Sequence, residues 1–305
     1  MTTLQVRRVT FDLDGDIPFL WNPSNPAFSI QLNAVSVIAV CFEKFIVAAV
    51  REALPQITDP EAKAEGDAFL RQEAQHARCH REHLRALIRR HPGLQETVDE
   101  AIASYDRLTA TKSLAYRLAY IADLEATFTP WFKMLLDHDD TLFQPGDDRV
   151  ASLFLWHFVE EIEHRRSGLV VYNAVVPNRW YRTLVLPSVA RHVLSVAKIL
   201  ARGFNRHVPW EDRQIDARIL DATQGLRQLF NRLPLVGDGT PPPPKVNPYA
   251  GVPSDEQRAC ARRILLTQTP NHDPEHQPLP AFADRWFARY DAGADVAHWY
   301  ATTAR

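Results

Sequence analysis

The chain has 305 residues and a formal net charge of -2; it is 46% hydrophobic and 24% charged, the balance of a globular protein rather than a disordered or fibrous one. Lys and Arg are scattered rather than blocked, which excludes a nucleic-acid footprint. Cys41, Cys79 and Cys260 are odd in number, far apart and form no CxxC pair, so they speak against a disulfide framework and for a reducing, cytoplasmic setting.

The first 30 residues read as irregular, with Pro18, Pro23 and Pro26 as breakers and no secretory signal among Asp12, Asp14 and Asp16. A helix is expected from Ile30 to Leu54. Thr58-Asp59-Pro60 signals the start of a second, running to Arg90 and stopped by His91-Pro92-Gly93. A third helical region covers Leu94 to Asp137 with a break near Asp106. After the loop Gln144–Asp148, a fourth runs to Val175 and ends at Pro177-Asn178.

Further helices are expected near Leu184–Arg202, stopped by Gly203, and near Trp210–Asn231. Gly237–Pro248 reads as an extended linker, Ser254-x-x-Gln257 as a capping box, and Thr269–Pro280 as a loop. No alternating strand pattern appears, so the fold expected is all-α. Ile30–Leu54 and Thr183–Ala201 are the most apolar stretches. Glu43 and Lys44 in the first, and Pro187, Arg191, His192 and Lys198 in the second, argue against a membrane span.

Chemistry enters on the first helix. Val35 to Val50 is apolar nearly all round, so this helix is buried, and Glu43 shares a face with Ala39, Val40, Ile46 and Val47. A carboxylate there needs a cation, either an Arg or a metal. The second helix carries Glu73-Ala-Gln-His76, whose three-residue spacing lets both side chains grip one ion; either alone reads as an ordinary buried group. The third carries Glu125 on an apolar stripe with Ile121, Ala122, Phe128 and Thr129. The fourth repeats the pair as Glu161 and His164, with His157 on the same face.

The order Glu, ExxH, Glu, ExxH runs over four successive expected helices, with 82 residues from Glu43 to Glu125 and 88 from His76 to His164. A bundle giving one Glu from each of two helices and ExxH from the other two holds two metal ions. Carboxylate and imidazole donors without thiolate suit iron, with manganese as the substitute. Glu160 competes with Glu161, since Glu160 and His164 form an i, i+4 pair; Glu161 is preferred because it matches the Glu73–His76 spacing. His80, one turn beyond His76, is read as an outer partner, a proton relay or an extra ligand, the outer role being preferred, with Glu160 a second candidate for an outer role.

Gln72-Glu73-x-x-His76-x-x-x-His80 and Trp156-His157-x-x-Glu160-Glu161-x-Glu163-His164 resemble the bacterial family of predicted metal-dependent hydrolases, over roughly residues 20–240. The set is also similar to di-iron arylamine N-oxygenases of the p-aminobenzoate N-oxygenase type, which carry a third histidine four residues before the last ExxH glutamate, where His157 stands. That resemblance implies seven ligands: Glu43, Glu73, His76, Glu125, His157, Glu161 and His164.

The resulting expectation is a ferritin-like four-helix bundle with a di-metal centre over residues 1–180, and a helical C-terminal extension over 181–305 packed on it. The activity expected first is a non-haem di-iron oxidase or oxygenase using O2 and an external electron donor, with N-oxygenation of an amine as the specific reaction. The alternative is a metal-dependent hydrolase using a metal-bound hydroxide; the second alternative is a non-catalytic iron-binding protein. The expected substrate is a small apolar or aromatic molecule, walled by Val47, Phe128, Phe154, Phe158 and the C-terminal helices. Expected partners are an electron donor and, as one assembly, a second copy of the chain, with no nucleic acid.

Overall fold

The chain is seen in a computed structural model that describes residues 4–222 and 246–303; among them every regular element is helical. Helix α1 spans Pro26–Ala53, four residues earlier than expected, because the Asn25 side chain accepts from Phe28 N and Pro26 pre-sets the first turn. Helix α2 spans Pro60–Arg90. Asp59 caps it by accepting from Glu61 N and Ala62 N, and Arg89 and Arg90 complement its C-terminal end.

The third region is two helices, α3 (Leu94–Thr111) and α4 (Leu114–Leu136). The break falls at Lys112-Ser113 rather than near Asp106, because Ser113 caps Tyr116 N. After the short α5 (Asp139–Leu142), Asp147 caps α6 (Asp148–Glu163). The chain then breaks at His164 and resumes as α7 (Ser167–Val175), where a single helix was expected. Ser167 Oγ donates to Glu65 Oε1 at 3.0 Å and fixes this joint against α2.

Helix α8 (Tyr181–His207) passes straight through Gly203. The glycine is there for close approach: a Cβ would fall 2.0 Å from Thr97 Oγ1 on α3. Of the expected Trp210–Asn231 helix, only α9 (Trp210–Arg213) and a 3-10 turn at Ala217–Leu220 form among the described residues. The rest of that stretch, and the linker as far as residue 245, lie outside them. Ser254 does not cap α10 (Ser254–Thr267): Pro253 is the N-cap, so the expected capping box is absent. Helices α11 (Ala281–Asp291) and α12 (Trp299–Thr303) complete the chain and pack on α6.

Helix α1 packs on α2 and α4, and α6 and α7 each pack on α2 and α4, so four sides close around one interior. Helix α8 covers α3 and α4, and α10 lies on α4. The irregular N-terminal stretch is tucked into this core, with Val9, Phe11, Leu13, Ile17, Phe19 and Trp21 all buried. Pro26–Gln56 and Tyr181–His207 are long and apolar enough to cross a membrane; 72% of the first helix's apolar window is buried within the fold and 28% of the second's.

His192 fastens α8 to its neighbours. Its ring lies 3.1 Å from Ser104 Oγ and 2.9 Å from Tyr120 OH, and burial pushes its pKa down to about 4. The unfolded chain therefore takes up this proton near pH 6.5 while the folded chain refuses it until about pH 4. The stability that neutral His192 contributes is present above the unfolded value and is lost as pH falls through this window. In urea unfolding from pH 7 to 4, the difference between wild type and His192→Phe is expected to shrink, by at most about 1.4 kcal/mol per pH unit and less for solvent screening. A difference that stays constant with pH would remove His192 from this role.

Candidate metal centre

Four glutamates and three histidines meet in the interior. One group joins Glu43, His76, His157 and Glu161; the other joins Glu73, Glu125, Glu161 and His164. Within each group a donor atom of every member lies within 4.8 Å of the others. All seven residues of the sequence-derived ligand set are thus brought together, and Glu161 is common to both groups. Glu43 comes from α1, Glu73 and His76 from α2, Glu125 from α4, and His157 and Glu161 from α6, with His164 at the break that follows it.

Glu161 is the hub. Its Oε1 lies 2.9 Å from His157 Nε2 and 3.4 Å from His76 Nδ1, and its Oε2 lies 3.1 Å from His164 Nε2. Three carboxylate oxygens crowd His164 Nε2: Glu73 Oε1 at 3.1 Å, Glu161 Oε2 at 3.1 Å and Glu125 Oε2 at 3.5 Å. Of these three, the Glu161 contact alone has hydrogen-bond alignment. Gly168 on α7 sits under Glu125, where a Cβ would lie 3.1 Å from Glu125 Cγ.

The cluster is short of positive charge. Glu43 Oε2, both oxygens of Glu73 and of Glu125, and His76 Nδ1 are buried without a hydrogen-bond partner. Such orphans are uncommon in folded proteins and each costs about 1–3 kcal/mol or more. Burial first, then the neighbouring carboxylates Glu73, Glu161 and Glu125, push Glu43 well above the usual carboxylate range. Burial and then Glu161 do the same to Glu125 and, less strongly, to Glu73. Burial opposes charge on His76, but the carboxylates of Glu160, Glu161 and Glu73 beside it outweigh that and raise it to about 9. Divalent cations at the two groups would offset these buried carboxylates, so the donor set fits two metal ions.

Each histidine is also gripped on its far side, which selects the nitrogen that faces the cluster. His76 Nε2 lies 3.0 Å from Glu160 Oε2, leaving Nδ1 inward. Glu160 turns away from both groups, and Arg7 Nη1 donates to its Oε1 at 3.2 Å. His164 Nδ1 lies 3.0 Å from Gln72 Oε1, leaving Nε2 inward, while Gln72 Nε2 donates to Glu163 Oε2. His157 Nδ1 lies 2.7 Å from His80 Nε2. His80 thus touches His157, and it belongs to neither group itself. Sequence reasoning missed Arg7, Ser36 and His83. Arg7 stands 153 residues from Glu160 and has no local signal. His83 does continue the helical stripe of His76 and His80.

An apolar cavity of about 240 Å³ reaches the cluster between α1, α4 and α8. Its walls include Ile38, Phe42, Phe128, Trp131, Phe132 and Val196, and Glu43, Glu73, His157 and Glu161 form its polar floor. Phe128 lines it as expected; Val47, Phe154 and Phe158 do not. Phe158 instead stacks on Phe132 at 3.9 Å, and Phe154 stacks on Trp21.

A family model described as "Predicted metal-dependent hydrolase" matches residues 5–243. No curated protein and no solved structure matches the chain. The family description names hydrolysis, the alternative reaction, and gives no support to oxygen chemistry.

Proposed function

The chain belongs to the family of predicted metal-dependent hydrolases, and from that premise we propose that it is a two-metal enzyme that hydrolyses a bond in a small, largely apolar molecule. The observation that carries this is the apolar cavity ending on the carboxylates and imidazoles of the candidate metal centre. The seven residues Glu43, Glu73, His76, Glu125, His157, Glu161 and His164 would hold two divalent ions, iron or manganese by donor type. Bound ions would supply water activation and polarise the oxygen of the scissile group. The closed ring of α1, α2, α4 and α6 with α7 supports a ferritin-like bundle as its frame.

The chain's own part is to select and position. An engineered cavity of roughly 150 Å³ suffices for benzene, so about 240 Å³ accommodates a substituted single ring or a short acyl chain. Phe42, Phe128, Trp131 and Phe132 would hold the apolar part by ring contacts and exclude water. The one polar end would be directed to the floor at Glu43 and Glu161. Oxygen activation, with N-oxygenation of an amine and an external electron donor, is a second reading. The specific observation favouring it is the third imidazole, His157, in a thiolate-free donor set.

The test is to count metals in the purified protein, load it with Fe(II) without oxygen, and present aryl esters and aryl amines separately. Metal-dependent ester cleavage that is indifferent to O2 is the expected result. O2 uptake with a transient visible absorption, amine oxidation and no ester cleavage would transfer the assignment to the second reading. Val196→Trp, which fills the cavity, is expected to lower turnover about 100-fold by displacing the guest while both ions are retained. Unchanged turnover in that variant would place the substrate elsewhere.

A further inference from the structure

Two of the three inward histidines have outer partners of fixed polarity. Glu160 and the Gln72 carbonyl oxygen can only accept, so His76 and His164 must donate outward and keep a lone pair for the cluster. His157 is different, because its partner, the Nε2 of His80, can donate or accept. If His80 donates, His157 carries its proton on Nε2, facing the cluster, and cannot be a ligand. Something further out must decide.

The contact continues. His80 Nδ1 lies 2.9 Å from Ser36 Oγ, and the same Oγ lies 2.8 Å from His83 Nδ1. All three side chains are fully buried. The Ser36 hydroxyl has one proton, so it can donate to only one of the two rings and must accept from the other. We propose that Ser36 and His83 are positioning residues: Ser36 donates to His83 Nδ1 and accepts from His80 Nδ1–H, which leaves His80 Nε2 to accept from His157 Nδ1–H and frees His157 Nε2 for a metal ion.

The chain of donors is unidirectional, and it requires every ring in it to be neutral. Burial pushes His83 down to about 4, which agrees with a neutral ring. His83 Nε2, which has no hydrogen-bond partner, carries the terminal proton. The inference rests on the metal reading above and extends it to two residues that touch no candidate ligand oxygen. It also explains why a serine stands at position 36, in the mostly apolar stretch from Val35 to Val50: no hydrocarbon side chain could set the polarity of two rings.

The test uses the full chain titrated with zinc, a diamagnetic ion, with chelator competition to resolve the two affinities and nitrogen-edited NMR to read histidine tautomers. In the zinc-loaded wild type, His80 is expected to carry its proton on Nδ1 and His83 on Nε2. Ser36→Ala should weaken one of the two ions by about 10–100-fold, the usual effect of losing a partner of a ligand histidine, and leave the other unchanged. Ser36→Thr, which keeps the hydroxyl, should restore the affinity. If Ser36→Ala does not fold, His83→Phe, which removes the acceptor, and His83→Asn, which keeps one at the Nδ1 place, make the same comparison. A wild type that binds two ions, with His80 protonated on Nε2 or with affinities unmoved by Ser36→Ala and His83→Phe, overturns this inference alone. A wild type that binds no divalent ion overturns the metal reading and this inference with it.

Discussion

Glu161→Ala is expected to strip both ions from the chain, whereas Glu43→Ala and Glu125→Ala each remove close to one. Glu161 is the member common to the two groups, and its two oxygens face different histidines. Losing either other glutamate leaves three donors in its own group and all four in the other. Losing Glu161 leaves three donors in each and removes the one carboxylate able to bridge them. Turnover should fall by more than the roughly 10–100-fold typical of removing an outer partner. Elemental analysis of each purified variant, with metal counted per chain, decides the matter, and two ions retained in Glu161→Ala would end the shared-ligand assignment.

Glu160→Ala provides the control for the neighbouring position. Glu160 holds His76 from behind and is itself held by Arg7. Its loss should therefore soften one affinity by about 10–100-fold without removing the ion. The pair of variants separates two adjacent carboxylates that spacing alone left in competition.

The parts of this centre that were legible in the sequence are those set by geometry within one helix. A three-residue step places Glu73 with His76 and Glu161 with His164 whatever surrounds them. Asp59-Pro60 and His91-Pro92 likewise bound α2 through local capping and steric rules. What escaped depends on contacts far along the chain. Gly203 reads as a helix stop because glycine lacks side-chain constraint, yet its use is to admit Thr97 of another helix. Arg7 lies in an irregular stretch, and its guanidinium reaches Glu160 and Glu163 while packing over Phe287 of α11. The break at His164 is invisible for the same reason, since Glu65 on α2 anchors the residues beyond it.

Arg182→Leu is expected to destabilise the protein by about 3–5 kcal/mol, the usual result of leaving one half of a buried pair. Arg182 is buried at the start of α8. Its Nη1 donates to Asp123 Oδ1 at 3.0 Å, and its Nη2 donates to the carbonyls of Thr267 and Thr269 at 2.7 and 2.6 Å. The substitution orphans a carboxyl on α4, two residues before Glu125, together with both carbonyls. Arg182→Leu/Asp123→Leu should recover only part of the loss, because the carbonyls stay unpaired. The pH dependence identifies the carboxyl. Burial outweighs Arg182 and already pushes Asp123 up to about 7. For a carboxyl raised in the folded state, stability falls as pH rises from the unfolded value towards the folded one. Wild type stops losing stability from this source near pH 7, whereas the variant's unpaired carboxyl ionises later and goes on losing it. The gap between the two in urea unfolding should therefore widen above pH 7, and a gap below about 1 kcal/mol at every pH would show that this pair does not hold α8 to α4.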